Sequence, residues 1–377
     1  MNSSTPFGGI FSGKRVLVTG HTGFKGSWLS IWLRTLGADV YGYSLEPPTK
    51  PSNFKLCHLD DRINSFIGDI RNLHELAQVF QKSQPEIIFH LAAQPLVRES
   101  YRAPKDTMDT NIGGTVNLLE CVRLHTSVRS LVVITSDKCY KNNEWDYGYR
   151  ENDPMGGNDP YSASKGCAEL VTQAYRRSYF SHSSKTPGAR PIGVATTRGG
   201  NVIGGGDWAE DRLVPDCVRA FSTNKPLELR YPNATRPWQH VLEPLAGYLQ
   251  LAAALLDDPP QFSSAWNFGP AEGKIVTTHQ LAQNFLRVWG EGTIKLLDHK
   301  DTPHEAQLLR LSCAKAFSKL LWHPVLSLTE TIDWTAQWYS HWYRHQGEDL
   351  YPLCEKQIHE YFLRAQRAKL AWAAKTH

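Results

Sequence analysis

No two of the seven cysteines stand close enough to make a Cys-x-x-Cys pair, and their number is odd. This argues against a disulfide framework and against a zinc site, and it fits a reducing cytosol. There is no excess of charge either: the net value is +4. No basic block or interleaved aromatic stripe occurs, so nucleic acid is not expected as a partner. The longest apolar candidate, residues 245–256, is too short to span a bilayer and contains Gln250. The N-terminus has no basic start followed by an apolar core, so it does not read as a secretory signal. Repeats and low-complexity tracts are absent too. A cytoplasmic protein without membrane association is expected.

What is present is an ordinary globular balance over 377 residues, 41% hydrophobic and 21% charged. That is enough for a large core and two lobes. The first half alternates short apolar runs with helical stretches. Strands are predicted at 15–19, 39–43, 65–67, 86–91, 131–135 and 192–197. Helices are predicted at 23–36, 72–81, 107–124 and 161–179. This alternation implies an α/β fold with a Rossmann-type, doubly wound parallel sheet. Beyond Asn201 the pattern loosens, with helices predicted at 213–221, 244–256, 279–288, 313–320, 329–345 and 353–374. We expect a dinucleotide-binding domain over 1–200, with returning segments near 231–265. A smaller α+β substrate lobe with C-terminal helices should occupy 201–377.

Gly20-His21-Thr22-Gly23-Phe24-Lys25-Gly26 lies between the first strand and the first helix. Glycines there permit a tight turn and close backbone approach, so a pyrophosphate can rest on the helix N-terminus. The spacing is GxxGxxG, not GxGxxG. At the end of the second strand, where a ribose-binding acid is common, stands Ser44, with Glu46 two residues on. Asp69-Ile70 follows the third strand. Asp69 is placed either to hold an adenine amino group or simply to cap a turn.

The stretch from Ser136 to Lys165 carries the chemistry. Tyr161 and Lys165 are four positions apart, on one helix face. An ammonium beside a phenol favours the phenolate, so Tyr161 is expected to accept a proton near neutral pH. Ser136-Asp137-Lys138 adds a hydroxyl, a carboxyl and a second ammonium, which suggests more than one proton transfer.

Several segments occur in a fixed order: the glycine loop, Gly68-Asp69-Ile70, His90-Leu91-Ala92-Ala93, Asn111-Ile112-Gly113-Gly114-Thr115, Tyr161-Ser162-Ala163-Ser164-Lys165 and Arg198-Gly199-Gly200-Asn201-Val202. Together they resemble the extended short-chain dehydrogenase/reductase family, and within it the nucleotide-sugar 4,6-dehydratases. Members acting on dTDP-glucose typically carry Thr-Asp-Glu where this chain has Ser136-Asp137-Lys138. The runs 20–28, 135–140 and 204–212 are similar to the branch that acts on CDP-glucose.

That resemblance implies NAD as cofactor, held by the glycine loop, Ser44, Asp69, Ile70, Leu91, Ala92, Ala93, Asn111, Tyr161 and Lys165. It implies Tyr161 as the base at the sugar C4 hydroxyl and Ser136 on the C4 oxygen. Asp137 would be the acid at C6. For Lys138 three roles stay open: base at C5, stabiliser of an enolate, or partner of Asp137. Gln94, Asn201, Arg212, Arg236 and Glu305 would contact the nucleotide sugar. No metal is implied. A homodimer or homotetramer through helices 107–124 and 161–179 is expected, as is a place in making O-antigen dideoxyhexoses for lipopolysaccharide. His21, Lys25 and Ser44 suggest weak retention of NAD. A 4-epimerase and a non-catalytic dinucleotide-binding protein are the alternative readings.

Overall fold

Short runs of β-branched and aliphatic residues become strands because they fill a pleated surface covered on both faces. The computed structural model describes residues 5–181, 183–270, 276–297 and 309–374. It has strands β1 (Arg15–Thr19), β2 (Asp39–Ser44), β3 (Asn64–Ile67), β4 (Ile87–His90), β5 (Ser130–Ile134) and β6 (Gly193–Gly199). These are followed by β7 (Val202–Ile203), β8 (Pro226–Leu229), β9 (Gln239–His240), β10 (Ala265–Phe268) and β11 (Thr293–Leu296). Seven of them form one parallel sheet in the order β10-β6-β5-β4-β1-β2-β3. The order reverses between β1 and β4, so a crevice opens where those two strands end. The smaller pairs β8–β11 and β7–β9 lie outside this sheet.

The main helices are α1 (Phe24–Thr35), α2 (Leu73–Ser83), α3 (Gly114–Leu124), α4 (Pro160–Tyr175), α5 (Leu213–Ser222), α6 (Leu242–Asp257), α7 (Thr278–Trp289), α8 (Leu328–Arg344) and α9 (Tyr351–Arg367). Strand residues alternate between two cores. Leu17, Ile88 and Leu131 point to α2 and α3, against Leu76, Phe80, Leu118 and Val122. Val16, Phe89 and Val132 point the other way, to Trp28, Trp32, Leu245 and Leu249. Each fully buried aliphatic side chain contributes about 1.5–3 kcal/mol. The tryptophan-rich end packs back over α1, where Tyr361 meets Trp32 edge-on at 5.6 Å. The Trp372 ring stacks on Phe7 at 4.8 Å. No helix among the described residues is long and apolar enough to cross a membrane.

Several elements differ from the sequence reading. The predicted helix 107–124 is Pro104–Met108, a wide i→i+5 turn over Asp109–Gly113, and then α3. The wide turn swings the Asn111 side chain inward, and such turns often mark functional segments. The helix predicted over 313–320 is present at 314–320, but most of it, Ala316–Leu320, is a wide i→i+5 turn. Strand β10 was not predicted, because AWNF is too short and mixed to show a period.

One polar contact locks β5, β6 and α4 together. Glu169 on α4 pairs with Arg198 on β6 at 2.9 Å, both at most 2% exposed. The carboxylate also accepts the hydroxyls of Thr135 (2.5 Å) and Thr196 (2.7 Å). Arg198 in turn donates to the Tyr140 hydroxyl at 2.8 Å. Removing one partner strands the other charge in a dry interior. Glu169→Ala should therefore cost about 3–5 kcal/mol in urea unfolding; a loss under about 1 kcal/mol would show the pair to be dispensable.

Candidate active site

The crevice at the strand reversal is built first by backbone. Gly20 has φ +75°, and a Cβ there would sit 2.7 Å from the Ala92 nitrogen. A Cβ on Gly26 would fall 2.1 Å from the Gly20 carbonyl. These glycines let β1 turn directly into α1 beside the segment after β4. Gly23 caps α1 without a side chain on its free N–H groups. A helix N-terminus that no side chain satisfies, at the end of a glycine cradle, fits the pyrophosphate of a dinucleotide.

Strand ends are tied together around that cradle. Thr19 Oγ1 lies 2.7 Å from His90 Nδ1, and His90 Nε2 lies 3.2 Å from Thr115 Oγ1. Leu91 donates to the Thr19 carbonyl at 3.1 Å, and the Ala92 N–H to Thr19 Oγ1 at 3.2 Å. Leu91 and Ala92 are thus held by the end of β1, and Ala93 follows them directly in the chain. Thr22 bonds the Ser44 hydroxyl at 2.9 Å, so the residue in the acid position is engaged with the glycine loop. Asp69 pairs with Arg71 at 2.6 Å, which holds its carboxyl below the usual range. Ile70 is buried against Gly114, where a Cβ would come within 2.6 Å.

Asn111 and Gln94, both expected to face ligand, are placed in the framework. Asn111 Oδ1 accepts the Gln94 N–H at 2.8 Å, and its amide donates to the Gln94 carbonyl (3.1 Å) and to Ser164 Oγ (2.8 Å). The Gln94 amide donates to the Leu96 carbonyl (3.0 Å) and Thr107 Oγ1 (2.8 Å). The Gln94 amide thus braces the segment after β4 against the helix Pro104–Met108.

Ser136, Asp137 and Lys138 lie on a tight turn directly after β5. Ser136 Oγ accepts the Lys138 N–H at 3.2 Å and donates to Asp137 Oδ1 at 3.0 Å. Asp137 is 3% exposed, and its Oδ2 is buried with no hydrogen-bond partner among the described residues. Burial raises its pKa, against the pull of Lys138, Ser136 and Arg236. Lys138 is half-buried and forms no ion pair with Asp137.

Tyr161 stands at the start of α4, behind the Asp159 cap and Pro160. Burial pushes its phenol up to about 12, while hydrogen bonding to Ser136 and the charge of Arg212 pull it down. Burial thus works against the expected acceptance of a proton near neutral pH. The Lys165 ammonium lies over the Tyr161 ring, its Nζ 6.0 Å from the ring centre. Burial, with Lys25 close by, lowers Lys165 to about 7. Lys25 itself is lowered to about 8 by burial and Arg212, partly countered by Asp137 and Asp207. The glycine-loop lysine thus belongs to the same electrostatic cluster as the acid and the tyrosine pair.

On the outer side, Arg212 pairs with Asp207 at 2.8 Å. Arg236 donates to the Thr235 carbonyl at 2.8 Å and acts on Asp137 by its charge. The Asn201 carbonyl accepts the Gln239 N–H at 3.0 Å, fixing it beside β9. Glu305 lies outside the described residues. The structure adds Asp207, whose signal was its place in the run GGGDWAEDR at 204–212, and Tyr339, which had none.

The chain was compared with known proteins. The family model of GDP-mannose 4,6-dehydratase matches residues 17–256. The CDP-glucose 4,6-dehydratase of Salmonella typhimurium is 49% identical over 358 residues, covering 95% of this chain and 99% of that one. The dTDP-glucose 4,6-dehydratase of Haemophilus influenzae is 25% identical, covering 85% and 97%. Among solved structures, the dTDP-glucose 4,6-dehydratase of Streptomyces venezuelae with NAD bound has a TM-score of 0.73 at 25% identity, covering 86% of this chain and 97% of that one. With its cradle, its Tyr161–Lys165 helix and a relative matched almost end to end, the chain belongs to the GDP-mannose 4,6-dehydratase family of nucleotide-sugar dehydratases.

Proposed function

We propose that the protein converts CDP-D-glucose to CDP-4-dehydro-6-deoxy-D-glucose and water, with NAD regenerated in each turnover. The observation that carries the reading is Asp137: a buried carboxyl with a raised pKa, one oxygen unpartnered, within the electrostatic reach of Tyr161. A 4-epimerase, which only oxidises and reduces C4, has no step for such an acid. The nucleobase comes from the relative in Salmonella typhimurium, half of whose residues this chain shares.

The glycine cradle and the free N-terminus of α1 would hold NAD, which supplies the hydride acceptor for C4 and the hydride donor for C6. Residues 1–200, with 231–265, form the dinucleotide-binding domain in this reading, and 201–377 the nucleotide-sugar lobe. Tyr161 takes the proton of the C4 hydroxyl, and Ser136 steadies the C4 oxygen. Because burial raises the phenol, Tyr161 works as a base only with positive charge close by; Arg212 and Lys165 stand nearest. The C4 ketone acidifies the C5 proton, and Lys138 removes it. Asp137 then gives its proton to the departing C6 hydroxyl, and water leaves. Arg212 and Arg236 bind the diphosphate, for which a guanidinium fork suits phosphate oxygens. Asn201 faces the sugar.

A soluble cytoplasmic homo-oligomer serving dideoxyhexose assembly for O-antigen fits this reading. Leu170 on α4 and Leu124 at the end of α3 are 53% and 64% exposed, as an interface between copies through those helices would use.

Four experiments test the assignment. Offered CDP-, dTDP-, UDP- and GDP-glucose, the protein should form a 4-ketone fastest from the CDP sugar; a galactose-type product without ketone would refute the dehydratase reading. Tyr161→Phe should abolish C4 oxidation while leaving nucleotide-sugar binding, and normal turnover would remove its role as base. Asp137→Asn should still oxidise C4 but slow water loss by about 10²–10⁴-fold. The raised pKa keeps Asp137 protonated to higher pH than an exposed carboxyl, so wild-type elimination should decline as pH rises through that value. The Asn variant should lack this limb. In parallel, Lys138→Ala should slow deuterium exchange at C5; unchanged exchange would leave Lys138 a structural role.

A further inference from the structure

The loop 204–212 delivers Arg212 to Tyr161, and it is anchored far away in sequence. Asp207 donates its N–H to the Tyr339 hydroxyl at 3.0 Å, and that hydroxyl donates back to the Asp207 carbonyl. One phenol on α8 thus satisfies both backbone groups of one loop residue. Tyr339 is fully buried, and burial holds its pKa well above the ordinary phenol value. It therefore stays neutral and keeps both donor and acceptor functions.

Rings from α8 fix the same loop on its apolar side. Trp208 packs edge-on against Trp338 and Tyr339, each at 5.5 Å, and against Trp342 at 5.1 Å. Trp28 of α1 donates to the Gly205 carbonyl at 2.9 Å. The Asp207 carboxylate is 5% exposed. Its Oδ1 accepts the Ala209 N–H at 3.1 Å, and its Oδ2 takes the Arg212 guanidinium at 2.8 Å. The route runs Tyr339 to the Asp207 backbone, Asp207 to Arg212, and Arg212 to the field at Tyr161 and Lys25.

We infer that Tyr339 is a positioning residue of the active site, holding Arg212 through Asp207 where it binds substrate phosphate beside Tyr161. This rests on the dehydratase reading. Tyr339→Phe removes one oxygen and keeps the ring against Trp208. A control comes from Tyr361→Phe, another buried phenol on the C-terminal helices. Its hydroxyl bonds the Glu243 carboxylate at 2.7 Å and touches nothing in the loop.

Both variants should lower Tm. Only Tyr339→Phe should raise KM for CDP-glucose, by about tenfold for one lost buried hydrogen-bonding group. Only it should move the acidic limb of kcat/KM to higher pH, because Tyr161 then loses a stabilising cation. Arg212→Lys, which cannot bind bidentately, should show the same KM increase, and combining it with Tyr339→Phe should add little. A Tyr339→Phe enzyme with wild-type KM and pH profile overturns the inference, as does a change equal to that of Tyr361→Phe. If the wild type forms 4-ketone from no nucleotide sugar, the proposed function falls and this inference falls with it.

Discussion

The site depends on one buried contact, the ion pair between Glu169 and Arg198. Two ions taken from water this completely are costly, and their attraction offsets the cost only when every remaining lone pair and proton is used. Here the Glu169 oxygens accept two threonine hydroxyls as well as the guanidinium, and of the pair's polar atoms the Arg198 Nε is left buried without a hydrogen-bond partner among the described residues. Thr135 immediately precedes Ser136, and Glu169 is one helical turn beyond Lys165. The same contact therefore sets the height of α4 against the end of β5. That height decides whether Tyr161 and Ser136 meet. The network continues through Tyr140 to Asn267 on β10, so the edge strand is tied to the turn that carries Asp137.

Desolvation is the common cause of the site's electrostatics. It raises Asp137 and Tyr161 and lowers Lys25 and Lys165, each toward its neutral form. For Asp137 this favours the proposed role, since an acid must keep its proton. For Tyr161 it opposes the role, and the balance has to come from nearby positive charge. The site resolves the conflict by placing cations around the phenol while leaving Asp137 Oδ2 unpartnered. Two proton-transfer groups can then sit side by side with opposite requirements.

Much of this was legible in the sequence where local chemistry dictates structure. The glycine loop was legible because only glycine tolerates φ +75° at Gly20 and the approach at Gly26. Tyr161 and Lys165 were legible from helical spacing. The bracing roles of Gln94 and Asn111 were not legible, because nothing local tells an amide that faces a ligand from one that braces a loop. Their partners Thr107 and Ser164 are brought together only by tertiary packing. Strand β10 was hidden because its four residues gain strand character only from pairing with β6. Tyr339 was invisible because its contact with Asp207 spans 132 residues of sequence.

The Lys138 substitution has to be weighed inside this field. A glutamate at that position would add negative charge beside Asp137 and raise its pKa further. The lysine does the reverse, since its charge is the largest influence opposing burial at Asp137. The chain compensates with depth: Asp137 is 3% exposed, and burial still outweighs Lys138, Ser136 and Arg236 together. A lysine base and an aspartic acid can coexist only while that burial holds. Exchanging glutamate for lysine at 138 thus shifts the task of keeping Asp137 protonated from a neighbouring charge to its depth in the fold.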